Sequence, residues 1–340
     1  MKAINEHLMW ECSSPSEGNF HLVITCEDHI ELRSLVSEII QRAPRLENWT
    51  FDQYRQAELP SLVEASYEAK FKETIPKDLT VTFERTPGNQ INLRFQSAKF
   101  NGENNAEDIA ECMIVSSTAF GEEALEKWIG YVLTSESFQG WKKVLTLFSG
   151  SSTSSRLGKY ERWQNEFKKI RSEICASRPS QFVSELLDPV DIKWTVLSIK
   201  PEKMRPEDPP PERLTWITQH PDVILGTLNN LQFCSENFSA VSELFCFLKS
   251  DRTDGQTSLD VEQDSREVFF DALNKELRDQ IVGCAFATGI GPVNRFWDMC
   301  LTDVEKAVPI LKKLVTLHGL KGAQLYFYDE SLRDETIDLS

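Results

Sequence analysis

Between Phe20 and Arg55 the hydrophobic period of the chain changes twice. Phe20 to Cys26 (FHLVITC) is a run of β-branched and aromatic residues, which predicts a strand. Leu32, Leu35, Val36, Ile39 and Ile40 then recur at helical spacing and give one apolar helix face. Asp28 and Glu31 fit a capping box at the start of that helix. Pro44 ends it, because proline disfavours the helical conformation at Ala43. Trp49 to Arg55 (WTFDQYR) alternates bulky and polar residues and predicts a returning strand. The three segments make a β-α-β unit.

The end of the chain has the same plan. Arg295 to Leu301 is strand-like, and Thr302 with Glu305 fits a second capping box. Val304, Ala307, Val308, Leu311, Leu314 and Val315 form an apolar helix face, Gly319 and Gly322 break the chain, and Ala323 to Tyr328 is a strand. Between these units, Asp78 to Arg85 and Gln90 to Gln96 predict a hairpin around Thr86-Pro87-Gly88-Asn89, with Pro87 fixing φ and Gly88 taking the positive φ. Glu107 to Phe120 predicts a helix stopped by Gly121, and Trp128 to Leu133 an edge strand. Helices are expected over Lys159 to Ala176, Glu236 to Leu248 and Gln263 to Leu277, and strands over Ile192 to Lys200 and Ile281 to Thr288. The resulting class is α+β: two domains, each a mainly antiparallel sheet with helices on one face, built from split β-α-β, ferredoxin-like units.

A length of 340 residues is enough for two cores. Gly150 to Ser155 (GSSTSS) is the most linker-like stretch. The expected division is therefore an N-terminal α+β domain over residues 1–150, a linker and connecting helix over 151–180, a C-terminal α+β domain over 181–328 and an acidic, mobile tail over 329–340. No apolar run approaches the ~20 residues that span a bilayer, and Met1 to Trp10 lacks the apolar block of a secretory signal. The eight cysteines are widely spaced, and several sit in apolar runs such as Leu244 to Leu248 and Val282 to Phe286. That pattern suits reduced, buried thiols and a cytoplasmic protein. With 37 Lys and Arg against 53 Asp and Glu, the net charge of −16 argues against a nucleic-acid partner.

Several phrases occur in an order that resembles a known family. Leu22-Val23-Ile24-Thr25, the amphipathic helix and Ala43-Pro44-Arg45-Leu46-Glu47-Asn48-Trp49 resemble the N-terminal part of bacterial proteins that carry the domain of unknown function 695. Phe120-Gly121-Glu122 is similar to a Leu-Gly-Glu phrase in that family, and Trp194 to Ile199 with Phe296 to Tyr328 is similar to its C-terminal module. The family's Gly-rich loop and acidic helix have no counterpart here; a Pro-rich loop (Pro206 to Pro211) and Leu214 to Phe233 stand in their place. The resemblance implies a fold and a bacterial origin, not a reaction. In topology only, the chain is similar to a small acidic ribonuclease inhibitor that works by binding protein.

Cys12, His21, Cys26 and His29 are the residues most suited to a metal, since both types ligate zinc. Residues of a strand alternate faces, however, so His21 and Cys26 point apart. Cys26 with His29 as a nucleophile and base lacks an orienting third group, and Glu27 and Asp28 oppose thiolate formation. Thr288-Gly289-Ile290-Gly291-Pro292 is Gly-rich, but a strand rather than a helix follows, which favours a turn over a phosphate loop. Glu122/Glu123 and Asp188/Asp191 are expected on solvated faces, Pro206 to Pro211 as a spacer, and most of the tryptophans, Trp128, Trp141, Trp163, Trp194, Trp216 and Trp297 among them, in packing. No catalytic, cofactor or metal residue is assigned. The expected function is non-catalytic: cytoplasmic binding of another protein, a basic one such as a nuclease, with no membrane partner. The alternative is a hydrolase-type enzyme with a site between the domains.

Overall fold

The first strand-helix-strand unit carries an additional strand in front of it. In the computed structural model, which describes residues 4–16, 18–27, 29–136, 158–187, 193–199, 212–229, 232–252 and 259–340, β1 (Met9–Ser16) pairs antiparallel with β2 (Asn19–Thr25). A 3₁₀ turn at Ile30–Leu32 leads into α1 (Arg33–Gln41), which has no side-chain N-cap, and β3 (Trp49–Asp52) returns parallel to β2. Asp28 of the expected capping box lies outside the described residues, as do Gly150 to Ser155, Trp141, Asp188, Asp191 and Pro206 to Pro211. β1 left little trace in the sequence because MWECSSPS has no β-branched residue and contains a proline.

The same order of hairpin, helix and parallel strand follows again. After α2 (Val63–Phe71), β4 (Thr80–Arg85) and β5 (Ile91–Ser97) form the expected hairpin. The positive φ in its turn belongs to Asn89, not Gly88, because a further left-handed residue closes the loop. Asn105 caps α3 (Ala106–Phe120) by accepting from the amides of Glu107 and Asp108, and Gly121 ends it at φ +87°. A π-helical turn (Ala124–Trp128) then enters β6 (Ile129–Glu136), which lies parallel to β5 at the sheet edge. α4 (Lys159–Ser177) packs Trp163, Phe167 and Ile174 into the core formed by Ile91, Leu93, Phe95 and Val115. The helix expected to connect the domains thus belongs to the first of two compact units, Met1–Ala176 and Ser177–Ser340.

The second unit holds a seven-stranded sheet. Its elements are α5 (Val183–Leu186), β7 (Thr195–Ser198), β8 (Thr215–Thr218), α6 (Pro221–Asn229), β9 (Leu244–Asp251), α7 (Leu259–Asp279), β10 (Gly283–Ile290), β11 (Asn294–Leu301), α8 (Val304–Leu317), β12 (Gln324–Phe327) and β13 (Thr336–Asp338). The sheet order is β13-β12-β9-β11-β10-β8-β7, with antiparallel neighbours throughout. β9-α7-β10 therefore straddles β11, and β11-α8-β12 straddles β9. This is the split β-α-β, ferredoxin-like arrangement. In the first unit, by contrast, β2 and β3 are direct neighbours. Phe269, Leu273, Leu311 and Leu314 of α7 and α8 pack on one face of the large sheet, against Leu248, Trp297 and Met299. Val223, Ile224, Phe233 and Phe238 cover part of the other, against Phe245, Phe286 and Cys300.

Three expectations need correction. Glu236 to Leu248 is not a helix but a 3₁₀ turn (Ser235–Asn237) followed by the start of β9. Leu244-Phe245-Cys246-Phe247-Leu248 packs on both sheet faces, so the alternation that marks a strand is lost. The N-cap of α8 is Asp303, which accepts from the amide of Lys306, rather than Thr302. Residues 329–340, expected as a mobile tail, add β13 to the sheet and bury Leu339, because Ile337 and Leu339 alternate toward the core.

Candidate functional site

The structure scatters the metal and nucleophile candidates of the N-terminal segment. Cys12 lies opposite Leu22 and Ser13 opposite His21 across the β1–β2 ladder, so Cys12 and His21 face opposite sides of the sheet. His21 Nε2 pairs with Asp52 Oδ2 at 2.6 Å, and His29 Nδ1 pairs with Glu31 Oε1 at 3.0 Å. Cys26 is buried beside Leu8, Ile24 and Val36. Burial pushes its thiol up to about 12; Arg33 opposes this, and Glu126 and Glu122 add to it. Among the described residues no group of three or more His, Cys, Asp or Glu is placed to hold a metal ion. The Gly-rich loop is the β10–β11 turn, where a Cβ on Gly291 would lie 1.9 Å from the Glu212 carbonyl oxygen. Close backbone approach, not phosphate binding, accounts for that glycine.

Glu122 departs from the solvated role expected of it. Its carboxylate is buried and accepts from Arg33 Nη2 at 2.9 Å, from the Arg55 amide at 2.9 Å and from the Thr25 hydroxyl. Arg33 also donates Nε to Glu126 Oε2 at 3.0 Å, Nη2 to Glu126 Oε1 and Nη1 to the Gln53 carbonyl. The Tyr54 ring stacks 4.2 Å from this guanidinium. Burial raises Glu126 to about 6; Arg33 opposes this and Glu122 adds to it. Sequence reading missed the joint because its partners lie on segments far apart in the chain.

A second buried ion pair lies in the other unit. Arg213 Nη1 donates to Asp298 Oδ1 at 2.6 Å and to the Tyr328 hydroxyl at 3.0 Å, and the guanidinium sits 4.1 Å from the rings of both Phe247 and Phe296. An open cleft of about 260 Å³ in the same unit is lined by Phe182, Ser184, Glu185, Arg278, Ile281 and Thr302. Its one guanidinium is committed to the fold: Arg278 donates to the Ser184 and Leu187 carbonyls and to Asn274.

The first three-stranded sheet presents a different kind of feature. Trp10, Cys12, Phe20, Leu22, Ile24, Trp49 and Phe51 share its α1-facing side by register. α1 has nine residues and is about 13 Å long, whereas β1 has eight and extends about 26 Å. One helix about 10 Å wide also covers only about two strands. The helix therefore buries Ile24 and half-buries Leu22, and leaves Phe20 at 41% and Trp10 at 58% exposure. Phe20 stacks on Trp49 at 5.0 Å, and Trp49 on Phe51 at 6.1 Å. Trp128, Trp163, Trp216 and Trp297 are buried, as expected; Trp194 is more exposed, although it rests edge-on against Phe270. Glu6, Glu11, Glu27, Glu31, Glu38 and Glu47 are exposed on the same module. No protein-family model matches the chain, and comparison with curated proteins and with solved structures gives no match.

Proposed function

We propose that this chain is a non-catalytic, cytoplasmic binding protein that engages a basic protein partner through the first sheet. The observation that carries this reading is a pair of exposed aromatic positions on the α1-facing side of the first sheet, Trp10 and the Phe20 that stacks on Trp49, set within an acidic module in which β1 is an edge strand among the described residues. Exposed aromatic side chains are the residues that most often anchor protein interfaces. A net charge of −16 would steer a basic partner onto them and make the encounter salt-dependent. An edge strand is a place where an extended segment can add backbone hydrogen bonds. The order of phrases similar to the domain of unknown function 695 adds a bacterial origin to this reading, and a nuclease is one basic partner that would fit.

The test is affinity capture with the intact chain at low and at moderate salt, run beside Trp10→Asp. The reading expects a basic protein that is retained by the wild type, weakened by salt and lost with the variant. Recovery of nothing at either salt, or equal recovery by the variant, would refute it.

A further inference from the structure

We propose that Arg33, Glu122 and Glu126 form a pH-sensitive fastening that holds the module of residues 4–52 to the rest of its unit, tight when Glu126 holds a proton and looser when it is ionised. This inference is independent of the proposed binding surface.

Three observations carry it. First, the module has its own small core, Leu8, Ile24, Cys26 and Val36, separate from the large core around Ile91, Phe95 and Trp128. Second, the link between them is polar. Arg33 of α1 reaches Glu122 and Glu126 at and beyond the end of α3, Thr25 of β2 donates to Glu122, and residues 53–58 are stitched to 118–122. The stitches are Arg55 N–H to Glu122, Glu122 N–H to the Arg55 carbonyl and Glu58 N–H to the Thr118 carbonyl. Third, the charges do not balance. One buried guanidinium is hydrogen-bonded to the buried Glu122 and to the largely covered Glu126. The other groups that face the joint are the Cys26 thiol, the Tyr54 ring and Lys127. Lys127 also lies 5.6 Å from the Tyr54 ring and pairs with Glu123 at 3.8 Å.

A buried excess of negative charge is relieved by one proton. Burial, opposed by Arg33, places Glu126 at about 6 against an ordinary 4.5. The docked module therefore binds the proton more tightly than the undocked one. The stabilisation is fully present below the ordinary carboxylate value and is lost as pH rises through about 6. A difference of that size allows up to about a thirtyfold change in the opening equilibrium.

The test is amide hydrogen exchange on the full chain from about pH 5 to about pH 7.5, corrected for intrinsic exchange and read as the protection of β2 and α1 relative to β5. In the wild type this ratio is expected to fall by about eightfold as pH rises from about 5 to about 7.5, the rest of the thirtyfold limit lying below pH 5. In Glu126→Gln and in Glu122→Gln one carboxylate remains for one guanidinium, and the profile is expected to flatten. If one variant fails to fold, the other carries the comparison. A wild-type ratio that does not change across this range, or an unchanged slope in a folded variant, would overturn the proposal.

Discussion

Trp10 and Ile24 are register partners across the β1–β2 ladder, yet Ile24 is 4% exposed and Trp10 58%. The difference comes from the width and length of α1, which covers β2 and stops short of β1. An exposed tryptophan contributes little to folding but is well suited to anchor an interface.

Trp10→Ser should therefore leave folding almost unchanged, within about 0.5 kcal/mol, as expected for a surface position away from caps and buried polar groups. Urea unfolding followed by circular dichroism measures this. A loss of 2 kcal/mol or more on the ~0.5 kcal/mol scale of surface changes would mean that Trp10 packs against the protein itself.

The thiols should report the cores directly. Cys12 is exposed and Cys175 partly so, whereas Cys26, Cys112, Cys234, Cys246, Cys284 and Cys300 are buried. Burial pushes Cys26 up to about 12 and raises Cys112, Cys246 and Cys300 as well. A chromogenic disulfide reagent at neutral pH should find one fast thiol, lost in Cys12→Ser, and all eight cysteines only after denaturation. Rapid reaction of Cys26 in the native protein would contradict the burial of the first module's core.

Helices with one clean apolar face could be read directly from the chain. The face of Ala307, Leu311, Leu314 and Val315 is the face that α8 buries, and Gly121 stops α3 where its freedom at positive φ is needed. β9 was hidden because it is central in the sheet, where apolar residues on both faces remove the period of two. β1 was hidden by its serines and proline. Glu122 looked like one carboxylate among many, because nothing local shows that Arg33 will meet it. Trp10 could be seen in the sequence, but its exposure depends on where α1 stops, which only the packed sheet shows.

Arg213→Met should cost about 3–5 kcal/mol, since it leaves Asp298 buried without its counter-charge. Adding Asp298→Asn should recover part of that loss, because the remaining amide carries no charge. Chemical denaturation of the two variants gives the comparison. An equal loss in the single and double variants would show that packing of Arg213 on Phe247 and Phe296, not charge, dominates.

Gly283→Ala should destabilise the second unit by about 3 kcal/mol or more, through steric overlap and strain together. Gly283 sits at φ +144°, and an added Cβ would lie 2.0 Å from the Cys300 carbonyl oxygen. Gly158→Ala meets nothing within 4 Å and serves as the neutral control. Equal thermal midpoints for the two variants would refute this placement of β10 against β11.

The most direct test of the binding reading is site-specific photo-cross-linking, with a photoreactive phenylalanine analogue placed at Trp10 and, as a control on the same unit, at the exposed Lys70 of α2. The account predicts a covalent adduct with a basic protein from position 10, diminished by salt, and none from position 70. No adduct from position 10, or equal adducts from both positions, would contradict it.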